Sequence, residues 1–367
     1  SLTASWFGAT SILVTADEAC RRGPGAIWLV GVPAVVTVLL FAAFLAGNET
    51  AIDILAVNPH WLTGYARPGW LRPLEGDLAA AGVDPDAFLP ALLAASTVDG
   101  RLVALPWVAD GGLLYYRRDL LGAADHSPPA TWTALEAMAV ELRGDGQPAH
   151  GFVWQGDEYD GLTCNALEQV WAAGGDVLDA RGRVVVDSPA TRAAFDQMAH
   201  YLAAGASPAA VLAYQEGGTL ADFGSGNAVF MRNWSYAWHR LEAPGSPVRG
   251  QVGIAPLPAS CLGGQSLVLS ARSPYAEQAI RFMAFLTAPE QQAQLALRGL
   301  QAPALQAVYQ DPAVLAQQPH LAQLFPALLA ARPRPQAADY ARFSEAFYTE
   351  VHRLLEAQDI GPIPVQD

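Results

Sequence analysis

The chain has 367 residues, 52% hydrophobic and 15% charged, which excludes a disordered chain and suits two lobes better than one ordinary core. Its formal net charge is −14 and its 21 basic residues are all Arg, with no basic cluster, so nucleic acid is repelled. Three cysteines, Cys20, Cys164 and Cys261, lie far apart without CxxC spacing, which argues against zinc and permits at most one internal disulfide.

In chain order, Leu2 to Phe7 predicts a strand and Ala16 to Arg22 a short helix. Ala26 to Gly47 holds 22 residues without a charge, long enough to span a bilayer. A membrane-anchored ectodomain is therefore one rival reading. Gly31 and Pro33 divide the segment, however, into a strand-like half and a half suited to a buried helix. Ile52 to Val57 predicts the next strand, giving the alternation of an α/β fold. Asn58 to Trp70 is a loop rich in Pro, Gly, His and Trp at the carboxyl end of that strand, where open α/β sheets bind ligands. Pro85 to Ala94 predicts a helix, and Asp99-Gly100 a hairpin turn into a strand ending at Pro106.

The pivotal stretch runs from Leu105 to Leu121. An apolar run passes an isolated carboxylate, Asp110, then Gly111 and Gly112, then a second apolar run from Leu113 to Tyr116. The two glycines predict a change of chain direction, as at a crossing between lobes with Asp110 facing the gap. Beyond it, Thr133 and Glu136 fit a capping box for a helix to about Arg143. Gly151 to Trp154 predicts a strand, and Tyr159 to Ala173 a helix closed by Gly174-Gly175. Val184 to Val186 forms half a hairpin, and Ser188-Pro189 starts another helix. Phe223 to Met231 predicts a turn and a buried strand, leading into Arg232-Asn233-Trp234-Ser235-Tyr236. Val252 to Ala255 predicts a strand, Leu257-Pro258 a second crossing, and Ser266 to Ser270 a strand after Cys261-Leu262-Gly263-Gly264-Gln265. Helices over Ala276–Thr287 and Pro289–Leu297 and a helical tail around Arg332-Pro333 complete the chain.

The chain has no phosphate-cradling glycine loop, nucleophile elbow or HExxH. The acidic group Asp157, Glu158 and Asp160 suits a helix start better than acid/base chemistry. The expectation is a binder with no metal and no cofactor. Sugars present flat apolar C–H faces and rings of hydroxyls, so their sites combine aromatic plates with planar polar groups. Trp234 and Tyr236, two apart after a buried strand, can share one face, although core packing is an equally simple use of two aromatics.

Asp110 with Leu114-Tyr115-Tyr116-Arg117, Phe44-Leu45-Ala46-Gly47, Ile52-Asp53-Ile54 and Phe152-Val153-Trp154-Gln155-Gly156 are similar to stretches of a known family. The chain resembles the extracellular solute-binding proteins of ABC sugar importers, in particular the trehalose/maltose-binding branch. That resemblance implies a two-lobed periplasmic-binding-protein fold of type II, each lobe a mixed sheet flanked by helices, with a hinge between them. It implies discontinuous lobes, residues 1–109 with 258–303 and residues 110–257 with 304–367. It implies a ligand site at Asp110, Trp234, Tyr236, Gly264, Gln265, Arg332 and Asn58, with His60, Trp61, Thr37 and Trp154 as further candidates. Thr37 and Asn58 stand where the branch often has an arginine and a carboxylate, and no acid lies near Thr10 and Ser11. Trehalose itself is therefore less expected than another disaccharide, a glucoside of a small polyol or an amino-sugar. The family further implies a monomer, placed in the periplasm or held as a lipoprotein at the cell surface, that hands its sugar to transmembrane importer subunits. Cys20 follows Ala16-Asp17-Glu18 and not an apolar run, unlike a lipid-attachment cysteine. The rival to this binder is a glycoside-active enzyme using the same aromatic cleft.

Overall fold

The computed structural model describes residues 52–144, 148–179, 182–299 and 301–357. The strand and helix expected before residue 52, the uncharged Ala26–Gly47 segment, Thr37 and Cys20 lie outside the described residues. Among the described residues no helix is long and apolar enough to cross a membrane.

Two four-stranded sheets form two lobes. The first has the order β1 (Ile54–Val57), β9 (Leu262–Leu269), β4 (Leu105–Gly111), β10 (Ala302–Pro303), with antiparallel neighbours throughout. The second has the order β6 (His150–Val153), β7 (Ala228–Asn233), β5 (Leu113–Arg117), β8 (Val252–Pro256), and is mixed because β6 and β7 run parallel. A short hairpin, β2 (Thr97–Val98) with β3 (Arg101–Leu102), turns at Asp99 and Gly100, both at positive φ. This is the turn that Asp-Gly favours. Strand β7 is buried along its whole length, as a near-continuous apolar run requires when both faces of a sheet are covered.

The helices follow their start signals with two corrections. Pro85–Ala94 is a 3-10 turn, Pro85–Ala87, followed by a separate helix, Pro90–Ala95. A second proline, Pro90, has no N–H to donate back to the turn and starts the second helix. The helix after Pro129 starts at Trp132, because Thr131 and not Thr133 accepts the Ala134 N–H. Glu136 is engaged by Gln197 and His200 instead of closing a capping box.

Three passes of the chain lie side by side between the sheets. Gly112 N–H donates to Cys261 O at 3.0 Å, and Ser260 Oγ donates to Gly112 O at 2.8 Å. Arg332 N–H donates to Ser260 O at 2.8 Å and Leu262 N–H to Arg332 O at 2.7 Å. The Leu321–Ala330 helix before the third pass touches both β4 and β8, and the Tyr340–Ala357 helix after it packs on Asp160–Ala172 and Pro189–Ala203.

The first pass is straight. Neither Gly111 nor Gly112 has a positive φ, so the expected change of direction is absent. Gly112 is there for room: a Cβ on it would lie 2.0 Å from Glu168 Oε1 and 2.7 Å from Arg232 Nη2.

Candidate functional site

Asp110 sits one residue before the first pass and pairs with Gly263 across β4 and β9. Its Oδ1 accepts the N–H of Gly111 and the N–H of Ser235, each at 2.8 Å. The second bond reaches from one sheet to the loop beyond β7, so one carboxylate oxygen ties the lobes together. Burial pushes the Asp110 carboxyl up to about 6, against the opposing pull of the Ser235 and Gly111 bonds and the Arg232 charge.

Trp234 meets Asp110 over Gly263. A Cβ on Gly263 would stand 3.0 Å from Trp234 Cζ3 and 3.2 Å from Asp110 Cβ, so a glycine is what lets the two side chains converge. The indole is held on several sides. Its Nε1–H donates to Glu216 Oε1 at 3.1 Å, and Arg232 lies against its ring at 4.0 Å from the centroid. Tyr115 Oη donates to Trp234 O at 2.8 Å and fixes the backbone. Arg232 is itself fully buried in a two-bond ion pair with Glu168, at 2.6 and 3.0 Å, and Glu168 Oε1 also accepts the Cys261 N–H. Tyr236 is half-buried close by, and burial, Glu216 and Asp110 hold its phenol above the ordinary range. The result is a fixed aromatic plate beside a carboxylate.

The other expected residues divide into those near this group and those apart from it. Gly264 has φ +94°, and a Cβ there would lie 2.3 Å from Val108 O, so only glycine fits between the strands. Gln265 is half-buried opposite Val108. Asn58 follows β1 directly and its carbonyl accepts the Trp61 N–H in the short Pro59–Trp61 turn. His60 and Trp61 in that turn reach the second lobe, with ring centroids 4.4 and 5.7 Å from Tyr340.

Two candidates are elsewhere. Trp154 is only 2% exposed and its indole N–H is spent on Ser207 at 3.0 Å, which makes it a core residue of the second lobe. The Arg332 side chain is 47% exposed, bonded to Asp176 at 3.0 Å and lying 4.6 Å from the Trp171 ring centroid. The arginine buried between the lobes is Arg334, whose Nη1 donates to Asp160. Arg332 and Arg334 have the same parity, so the alternation of an extended segment does not separate them; the contacts of Arg334 with Asp160 and Tyr340 do. The residues missed from the sequence are Gly263, Glu216, Ser235, Arg232 and Arg334. Arg232 carried a usable signal, a cation in an otherwise apolar strand, which demands a buried partner. Cys164 and Cys261 are buried and free, and no group of three or more His, Cys, Asp or Glu that could hold a metal occurs among the described residues.

The comparisons with known proteins agree with this architecture. Residues 40–323 match the family model for the bacterial extracellular solute-binding proteins. A probable ABC transporter-binding protein of Deinococcus radiodurans is 31% identical, covering 93% of this chain and 84% of its own. The maltose-bound MalE3 protein of T. maritima is 38% identical with a TM-score of 0.79, covering 87% of this chain and 83% of its own. A ribitol-bound ABC transporter solute-binding protein of Agrobacterium radiobacter, 22% identical with a TM-score of 0.76 over 96% of this chain and 92% of its own, shares the fold. The family match covers most of the chain, and the two-lobed architecture agrees with it. The chain belongs to the bacterial extracellular solute-binding proteins and has the type II periplasmic-binding fold.

Proposed function

We propose that this protein captures a sugar, a disaccharide or a glucoside of the trehalose/maltose kind, in the cleft between its lobes and delivers it to a membrane permease. The observation that carries the reading is the meeting of Asp110, on a strand of the first sheet, and Trp234, just beyond a strand of the second, over Gly263. An indole whose N–H is tied to Glu216 and whose one face is covered by Arg232 keeps its orientation without a ligand. Its remaining surface suits the C–H face of a pyranose, while the Asp110 carboxylate accepts hydroxyls. Tyr236, Gly264, Gln265 and Asn58 complete the wall. Closure follows because a sugar touching both lobes binds the shut form better than the open one. The 38% identity to a maltose-bound protein supports the maltose side of the branch.

Binding without turnover is part of the proposal. The two other carboxylates of this group are committed, Glu216 to the Trp234 indole and Glu168 to Arg232. The experiment is a calorimetric and thermal-shift panel of maltose, trehalose, glucosylglycerol, amino-sugars and polyols, with product analysis by chromatography. Saturable binding without product is expected. Trp234→Ala is expected to weaken the best binder by about 30-fold, roughly 2 kcal/mol, while the ligand-free protein still folds. Hydrolysis of a disaccharide by the wild type would favour the glycoside-active rival, and unchanged affinity in the variant would remove Trp234 from the site.

A further inference from the structure

Cys164 and Cys261 come from distant parts of the chain and meet in its interior. Cys164 lies in the Asp160–Ala172 helix of the second lobe, and Cys261 is the middle of the second pass between the lobes; they are 1% and 0% exposed. Glu168, one helical turn after Cys164 on the same face, accepts the Cys261 N–H at 3.0 Å. The two thiols themselves share a hydrogen bond. The neighbours of Cys261 are held as well, Ser260 Oγ donating to Gly112 O at 2.8 Å and Leu262 N–H to Arg332 O at 2.7 Å. The backbone is thus fixed on both sides of the contact, and the sulfurs face each other from two anchored segments.

Metal binding and nucleophilic chemistry do not account for the pair. Among the described residues no group of three or more His, Cys, Asp or Glu is placed to hold a metal. Burial, and then the Cys164 thiol, push the Cys261 thiol well above its ordinary range, so in the folded protein it is not a reactive thiolate. What the contact does offer is a bond between the two sulfurs. The structure holds them reduced, whereas the family of this chain is extracellular. Disulfides form and persist in that oxidising environment.

We propose that Cys164 and Cys261 are joined by a disulfide in the extracellular protein, a staple that ties the second pass to the second lobe. The two thiols give up two protons and two electrons and one S–S bond forms. The acceptor is the disulfide of a dithiol–disulfide oxidoreductase or of oxidised glutathione, which leaves as two thiols. Because both sulfurs are buried, the exchange takes place while the chain folds, before the third pass pairs Arg332 with Cys261. The bridge closes a long loop of chain, which is where a cross-link restrains the unfolded state most. It also makes the contact between helix and pass covalent, so bending between the lobes falls on the first-lobe side of Cys261.

The test uses the full chain, secreted into an oxidising compartment and purified without reductant. Free thiols are blocked with iodoacetamide in guanidinium chloride, and the tryptic peptides are mapped by mass spectrometry before and after reduction. One linked pair of peptides carrying Cys164 and Cys261 is expected, with neither cysteine labelled until the sample is reduced. Wild type refolded with reductant is expected to melt about 5 °C or more below the oxidised protein. The Cys164→Ala/Cys261→Ala double variant is expected to melt at one temperature with and without reductant. Full labelling of both cysteines in the protein as purified, or a link from either of them to Cys20, overturns the inference. Equal melting of oxidised and reduced wild type overturns the stapling role. None of these readouts depends on the ligand, so the sugar-binding reading stands or falls separately.

Discussion

Asp110 titrates where few carboxylates do. With its carboxyl pushed up to about 6 by burial, against an ordinary value near 4, the folded protein holds a proton that the unfolded chain has lost between those two values. The sign follows: Asp110's share of stability is fully present below about pH 4 and is lost as pH rises to about 6. Asp110→Asn is expected to flatten that part of the pH–stability curve. Ligand affinity runs the other way, because hydroxyls donate to the ionised carboxylate. Affinity should fall as pH drops below about 6 in the wild type and stay level in Asp110→Asn, measured by titration calorimetry from pH 4.5 to 8. A pH-independent wild-type affinity would place the sugar away from this oxygen. Asp110 was legible in the sequence because a lone acid in an apolar run has few other uses. Arg334 was not, because Arg332-Pro333-Arg334-Pro335 offers two equal candidates and only packing against Tyr340 and Asp160 chooses between them.

At the level of elements, the continuous run of β4 into β5 carries the first sheet into the second without a turn. The sequence pattern of apolar run, glycines, apolar run gave the two strands and the crossing, yet suggested the wrong reason for the glycines. What matters is the Glu168–Arg232 pair pressed against Gly112, a contact between residues 56 positions apart that no local pattern announces. Gly112→Ala forces that buried pair apart and is expected to cost on the order of 3 kcal/mol. Gly111→Ala meets Leu328 Cδ2 at 3.2 Å, Ser260 Oγ at 3.4 Å and Ala331 Cβ at 3.8 Å, and should cost clearly less. Urea unfolding of the two variants measures the difference. Equal midpoints would mean that the pair moves aside freely. Helix starts with a clear hydroxyl and proline, as at Ser188-Pro189, were readable because the signal is local: Ser188 Oγ accepts the Thr191 N–H at 3.1 Å.

For the whole molecule, alternating strands and helices made the α/β class legible. The pairing order of the sheets was not, since β1 next to β9 and β5 between β7 and β8 are choices made across the chain. Two lobes joined by three bonded passes and a shared ligand should respond to that ligand as one unit. At a hundredfold excess over Kd, sugar is expected to add about 2.7 kcal/mol to a single unfolding transition. Calorimetry that shows two transitions, only one of them shifted, would place the ligand within one lobe. The packing of Tyr340–Ala357 on Asp160–Ala172 has a further consequence. Tyr340 Oη bonds to Asp160 across 180 positions of chain, so the second lobe cannot seal its own interior until a distant stretch arrives. A polypeptide made from its N-terminus therefore leaves the Asp160–Ala172 helix uncovered until the Tyr340–Ala357 stretch has been made, and the second lobe locks only then.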